Sequence, residues 1–172
     1  MSATVQTGYF FMPEHIILVG ASERPHSLGE RIFSHLLGSS YQGKITPVNL
    51  RHSSVAGIPS YSSLSKIPGQ ADLVVAVIPP DHYDSLFKAC RKKDLRHIIL
   101  IQDWENLPPE SCKNARSIIQ KYHGDELNIS VCNSAGIQLP SLNLNISTQT
   151  DYPAGHIALL TGHSTVSRNI NH

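Results

Sequence analysis

The run Asp72-Leu73-Val74-Val75-Ala76-Val77-Ile78 constrains the fold more than any other stretch of the chain. A short, β-branched-rich segment that is apolar at nearly every position has no polar face to turn to water, so it must be covered on both sides. That places it at the centre of a sheet with helices above and below. Further short apolar runs lie at residues 15–20, 44–49, 96–102 and 128–132. Segments of helical period separate them: 28–38, with Ile32, Leu36 and Leu37 on one stripe, 81–93, and 109–123. Strands alternating with crossover helices predict an α/β fold built on a doubly wound parallel sheet. Pro47 removes a ladder donor and is expected to mark a strand end or an edge strand. Gly38 is expected to end the first helix in a left-handed conformation, Asp81 to cap the second, and a short helix is expected at 61–65.

The chain has 172 residues, enough for one domain and too few for a second complete one. With 14 Lys+Arg against 13 Asp+Glu, it has no bulk field to attract nucleic acid or an anionic membrane, so neither is expected as a partner. Cys90, Cys112 and Cys132 stand far apart, in no metal or redox spacing, and are expected to be reduced thiols in a cytoplasmic protein. No run approaches the ~18 apolar residues of a membrane-spanning helix. The 10 histidines are scattered, and no metal site is expected.

Ligands of such sheets bind beyond the carboxyl ends of the strands, where the strand order reverses. The first strand ends in Gly20-Ala21-Ser22-Glu23-Arg24-Pro25-His26-Ser27 before a helix N-terminus. Glycine allows close approach of a phosphate, and the helix start offers free N–H groups and partial positive charge. Ser22 and Ser27 add hydroxyls, and Arg24 a permanent charge. Ala21 and Ser22 stand where the dinucleotide fingerprint needs its second glycine, and read alone the loop is also compatible with an ordinary capped turn. After the second strand come Asn49-Leu50-Arg51-His52 in place of the acidic residue of an NAD site. Cations there suit a phosphorylated ribose, which both NADP and coenzyme A carry. Solvation of Arg51 at the surface is the alternative.

The segments Phe10-Phe11-Met12-Pro13-Glu14-His15-Ile16-Ile17-Leu18-Val19-Gly20-Ala21-Ser22, Gly43-Lys44-Ile45-Thr46-Pro47-Val48-Asn49, and Val55-Ala56-Gly57-Ile58-Pro59-Ser60-Tyr61-Ser62-Ser63-Leu64 occur in this order. Asp72 to Pro79 and Gly155-His156-Ile157-Ala158-Leu159-Leu160-Thr161 follow. The first four resemble the CoA-binding domain of NDP-forming acyl-CoA synthetases and of the related protein lysine acetyltransferases, and the last resembles the start of the ligase-type domain that comes next in those proteins. The resemblance implies a Rossmann-like domain over 15–136, preceded by an N-terminal segment 1–14. It also implies a connecting arm and the first strand of a truncated ligase-type domain over 137–172. It further implies coenzyme A or acyl-CoA as ligand, held by Gly20, Ala21, Ser22, Arg24, Ser27, Val48, Asn49, Arg51, Ile78, Pro79, Gln102 and Asn133.

Two turns depart from the family pattern. Gln102-Asp103-Trp104-Glu105-Asn106 replaces a glycine-containing turn, and Val131-Cys132-Asn133-Ser134-Ala135-Gly136 keeps only the asparagine and a glycine of the second. Family synthetases also use a phosphorylated histidine and a nucleotide-binding domain lying further along. The chain alone is therefore expected to be a binding module without turnover, working with the remaining domains or subunits of a synthetase-like protein. Neither His163 nor Cys132 is expected to be catalytic. The competing readings are the NADP-binding half of an oxidoreductase and a regulatory domain of the same fold that has lost its ligand.

Overall fold

The structure, a computed structural model, describes residues 10, 12–124 and 127–155. Five strands form the main sheet: β1 (His15–Val19), β2 (Lys44–Val48), β5 (Leu73–Ala76), β6 (His97–Ile101) and β7 (Asn128–Cys132). Their order is β2-β1-β5-β6-β7, all parallel. The all-apolar run lies at the centre: Leu73, Val74, Val75 and Ala76 are each 0% exposed. Leu73 and Val75 enter the apolar cluster on one face, Val74 and Ala76 the cluster on the other. Each large side chain so enclosed contributes roughly 1.5–3 kcal/mol. Proline 47 lies in β2, an edge strand, where its missing N–H costs no ladder bond.

Helix α1 (Leu28–Gly38) covers one face through Ile32, Phe33 and Leu36. Helices α2 (Tyr83–Lys92) and α3 (Pro109–Tyr122) cover the other, α2 through Leu86, Phe87 and Cys90. A two-stranded hairpin of β3 (Ser54–Val55) and β4 (Ile58–Pro59) follows β2. Its turn, Ala56-Gly57, has φ of 50° and 76°, the two positive values that match the twist of a tight hairpin. The stretch expected as a connecting arm carries a second antiparallel hairpin, β8 (Ile137–Leu139) with β9 (Leu144–Ile146). Leu144 and Ile146 are buried against the α1 side of the sheet. Residues 156–172, where the first strand of a ligase-type domain was expected, and Phe11 lie outside the described residues.

Three local expectations change. Gly38 stays helical, and Ser39 closes α1 in an extended conformation, its N–H donating to the His35 carbonyl and its hydroxyl to that of Leu36. The chain leaves α1 extended, so no left-handed residue is needed. Asp81 does not cap α2: it lies in a 3-10 turn, Pro80–His82, that leads directly into the helix. The short helix expected at 61–65 is a single 3-10 turn, Leu64–Lys66.

The amino ends of the strands are tied by polar contacts. The two backbone N–H groups of Glu14 and His15 donate to Asp72 Oδ2 at 2.8 and 2.9 Å. His15 Nδ1 lies 2.8 Å from the Gln70 carbonyl, which can only accept, so Nε2 accepts from the Thr46 hydroxyl at 2.8 Å in the neutral ring. Burial holds the His15 and His97 imidazoles below their ordinary value of 6.5. The unfolded chain therefore takes up these protons at higher pH than the folded one, and stability falls as pH drops below about 6.5. Urea unfolding at about pH 7.5 and 5.5 should show this loss, and a His15→Gln/His97→Gln variant should show a smaller one. Equal losses in both proteins would remove these rings as the cause.

Candidate functional site: the strand-end crevice

The chain passes from β1 outward to β2, then back across β1 to β5, so the order reverses between β1 and β5. Crevices form at such points because the loops leaving the two strands diverge to opposite faces. Gly20 stands there with φ +92°. A Cβ on it would lie 2.2 Å from the Val77 carbonyl oxygen and 3.0 Å from Ile78 Cγ2. Gly29, in the first turn of α1, is pressed equally close: its Cβ would lie 2.2 Å from the Gly20 carbonyl oxygen. Two absent side chains thus let the helix start, the end of β1 and the exit of β5 converge. In the sequence Gly29 is only a residue at the helix start, because a glycine nine positions beyond Gly20 belongs to no familiar spacing and nothing along the chain shows that the two pack together.

The loop between β1 and α1 is held from several sides. Ser22 Oγ accepts from the Arg24 N–H at 3.0 Å, and Ser27 Oγ accepts from the Glu30 N–H at 3.2 Å, capping α1. Each hydroxyl keeps its proton to donate. The first amides of a helix have no intrahelical partner, so the N–H groups of Leu28 and Gly29 open toward the loop as anion donors. Glu23 Oε1 accepts from the Ala56 N–H at 2.7 Å, fastening the loop to the β3–β4 turn.

Asn49 connects this loop to the one after β2. Its Nδ2 donates to the Ala21 carbonyl at 2.8 Å, while Oδ1 accepts from the N–H groups of Arg51 (2.8 Å) and His52 (3.1 Å). Its side chain is therefore a brace rather than a free ligand group. Arg51 is exposed beside it, as are Arg24, His26 and His52. Ala21 and Val48 are buried at 1% and 5%, so only their backbones reach the crevice; the Val48 carbonyl accepts from the Gly20 N–H.

The opposite end of the crevice has different chemistry. Ile78 is half-buried and Pro79 exposed above β5. The N–H of Gln102 and the indole Nε1–H of Trp104 both donate to the Cys132 carbonyl, at 3.3 and 2.9 Å. Asn133 is folded into a turn, its side chain accepting from the Ala135 N–H and its carbonyl from the Gly136 N–H. That turn is tied back to α1: the Thr148 hydroxyl donates to the Ser134 carbonyl, and Arg31 donates to the Thr148 carbonyl. Asp103 and Glu105 place carboxylates here, so the crevice runs from cationic loops at β1 and β2 to an acidic and aromatic end at β6. Burial pushes the Cys132 thiol up to about 11, which leaves it protonated and un-nucleophilic at neutral pH.

Of the sequence-derived residues, Gly20, Ser22, Ser27, Ile78 and Pro79 converge on the strand reversal, and Arg24 and Arg51 stand on its cationic side. Gln102 and Asn133 lie at the far end. Among the described residues there is no grouping of His, Cys, Asp and Glu that would hold a metal, and no helix long and apolar enough to cross a membrane.

A model of the CoA binding domain matches residues 14–138, from the start of β1 into β8. The chain belongs to this family of CoA-binding domains. The alpha subunit of an ADP-forming acetate–CoA ligase II from Pyrococcus furiosus is 30% identical over 155 residues, covering 89% of this chain and 34% of that protein. A crystal structure from Pyrococcus horikoshii OT3 superposes with a TM-score of 0.77 at 26% identity, over 95% of this chain and 38% of that one. The dinucleotide-forming acetyl-coenzyme A synthetase 1 of Ca. Korarchaeum cryptofilum, solved with phosphate and ADP, shares the fold with a TM-score of 0.66 at 22% identity, over 83% of this chain and 30% of that one. This CoA-binding domain thus spans about a third of the length of these relatives.

Proposed function

We propose that this domain binds coenzyme A or its acyl thioesters across the carboxyl ends of the strands and serves a larger synthetase-like assembly as its CoA-holding part. The observation that carries this reading is the convergence of Gly20, Gly29 and the Val77 carbonyl at the strand reversal. It lets backbone amides approach a diphosphate more closely than any side chain would permit. The diphosphate rests on Gly20, Ser22, Ser27 and the start of α1. Arg24, on the same loop, stands on the diphosphate side, and Arg51, after β2, faces the phosphorylated ribose. The pantetheine arm passes over Ile78 and Pro79 toward Gln102 and Asn133. The residues that the crevice presents bind and orient a nucleotide; none is activated for covalent chemistry. Acyl transfer therefore requires groups supplied from elsewhere in the assembly.

Calorimetric titration with CoA, dephospho-CoA, NADP and NAD tests the assignment. CoA is expected to bind, and NADP and NAD to bind at least tenfold more weakly. Tighter NADP than CoA would favour an oxidoreductase half instead, and no binding of any of the four a regulatory domain. Arg51→Glu is expected to weaken CoA by about 1–3 kcal/mol, the scale of a lost charge-assisted contact, and dephospho-CoA far less. Equal losses for both ligands would show that Arg51 does not face the ribose phosphate.

A further inference from the structure

Beyond β6 the crevice meets a second concave feature. A groove of about 360 Å³ runs between α3 and the outer side of β7, lined by Trp104, Cys112, Arg116, Ile119, Gln120 and Val131. Its volume falls within the range of small-molecule sites. Its surface is almost wholly apolar. Trp104 contributes no polar group, because its indole N–H is already given to the Cys132 carbonyl. Its ring is backed by Tyr83, with centroids 6.5 Å apart in an edge arrangement, and Tyr83 is fully buried. The groove thus has a fixed aromatic wall. Val131, on the edge strand of the sheet, is 48% exposed and opens onto this groove.

The upper end of this groove is at the level of the strand ends. Trp104 follows directly on β6 and the Gln102-Asp103 turn, Cys112 is in the first turn of α3, and Val131 is one residue from the end of β7. Arg51 stands at the end of β2, at the other side of the sheet. Four inter-strand steps separate β2 from β7, about 19 Å at the usual spacing. Coenzyme A carries its ribose phosphate at one end and its thioester at the other. A molecule whose phosphate lies at Arg51 and whose pantetheine crosses β5 and β6 therefore delivers its acyl group to the mouth of this groove.

We infer that the groove between α3 and β7 is an acyl-group subsite, and that the domain prefers coenzyme A thioesters of medium-chain, apolar acids to acetyl-CoA. This rests on the crevice being a CoA site. The groove surface is almost wholly apolar, and Arg116 and Gln120, which also line it, are exposed to solvent. An apolar chain is therefore the occupant that gains most there, whereas a polar or charged acyl group would be stripped of water with little compensation.

The test is calorimetry of the full chain with CoA, acetyl-CoA and octanoyl-CoA, the last below its micelle concentration. Removing a methylene from water favours binding about fourfold, so even partial insertion makes octanoyl-CoA at least tenfold tighter than acetyl-CoA. Val131→Glu, which puts a carboxylate into the groove from an exposed position, should bring the two thioesters within twofold of each other and leave CoA unchanged. Trp104, the only tryptophan, should change its fluorescence with octanoyl-CoA and not with CoA. Equal affinity for all thioesters, or a tenfold preference that survives Val131→Glu, would overturn the subsite while leaving CoA binding intact. Failure of the chain to bind CoA and every thioester would overturn both the subsite and the CoA assignment beneath it.

Discussion

Gly20→Ala is expected to destabilise the domain by roughly 2–6 kcal/mol, the sum of about 1–3 for holding a side chain at positive φ and about 1–3 for overpacking. The overpacking is against backbone: the new Cβ would meet the Val77 carbonyl at 2.2 Å and its carbon at 2.9 Å. That carbonyl follows the central strand β5, whose every residue is enclosed on both faces, so it cannot retreat without moving the core. The melting temperature should fall by roughly 5–20 °C. Gly57→Ala is the matched control. Its φ is +76°, but nothing lies within 4 Å of the new Cβ, so it should lose only the conformational part, about 1–3 kcal/mol. Thermal and urea unfolding of both variants decide the matter. If they lose the same stability, the close approach of β1 to β5 does not constrain the fold, and the floor of the crevice is not built as described.

Asn49→Ala is expected to cost roughly 1.5–4.5 kcal/mol, because it removes three hydrogen bonds worth about 0.5–1.5 kcal/mol each. The side chain links the Ala21 carbonyl to the turn carrying Arg51 and His52, so its loss frees two loops at once. The consequence for binding differs from that of Arg51→Glu. A brace positions the diphosphate and the ribose phosphate together, so CoA and dephospho-CoA should weaken by the same factor. Asn49→Asp keeps the two acceptor contacts to the turn and loses the donor contact to Ala21, and its stability should fall between the wild type and alanine. Urea denaturation and calorimetry on the two variants separate these effects. An Asn49→Ala protein that weakens only CoA would mean that Asn49 contacts the ribose phosphate itself.

How much of this was legible in the sequence depended on whether a feature is carried by one segment or by two. The five strands were readable because each is a short apolar run bounded by glycine, proline or polar residues, and the central one announced itself by having no polar face. The Gly20 turn and the cations after β2 were readable for the same reason. Pairwise closeness was not. Nothing along the chain ties Glu23 to Ala56, Gly29 to Gly20, or Arg31 to Thr148, because these contacts join segments 9 to 117 residues apart. The resemblance put Ala21, Val48 and Asn49 at the ligand without saying which of their atoms are available. In the structure the Ala21 and Val48 side chains are buried, and the Asn49 side chain bonds both neighbouring loops.

The sequence by itself determined the class of fold and the number and direction of the main strands, and it pointed to the carboxyl ends of the strands as the place for the proposed ligand. These follow from hydrophobic period and from the rule that parallel strands need crossover helices. Only the tertiary structure decided which strand-end residues face the crevice and which hold it up. It also decided that Trp104 turns its ring into a groove beyond the last strand instead of filling the crevice. Side-chain direction at a strand end is set by whichever partner satisfies its polar atoms, and for Trp104 that partner is the carbonyl of Cys132, a residue on the neighbouring strand.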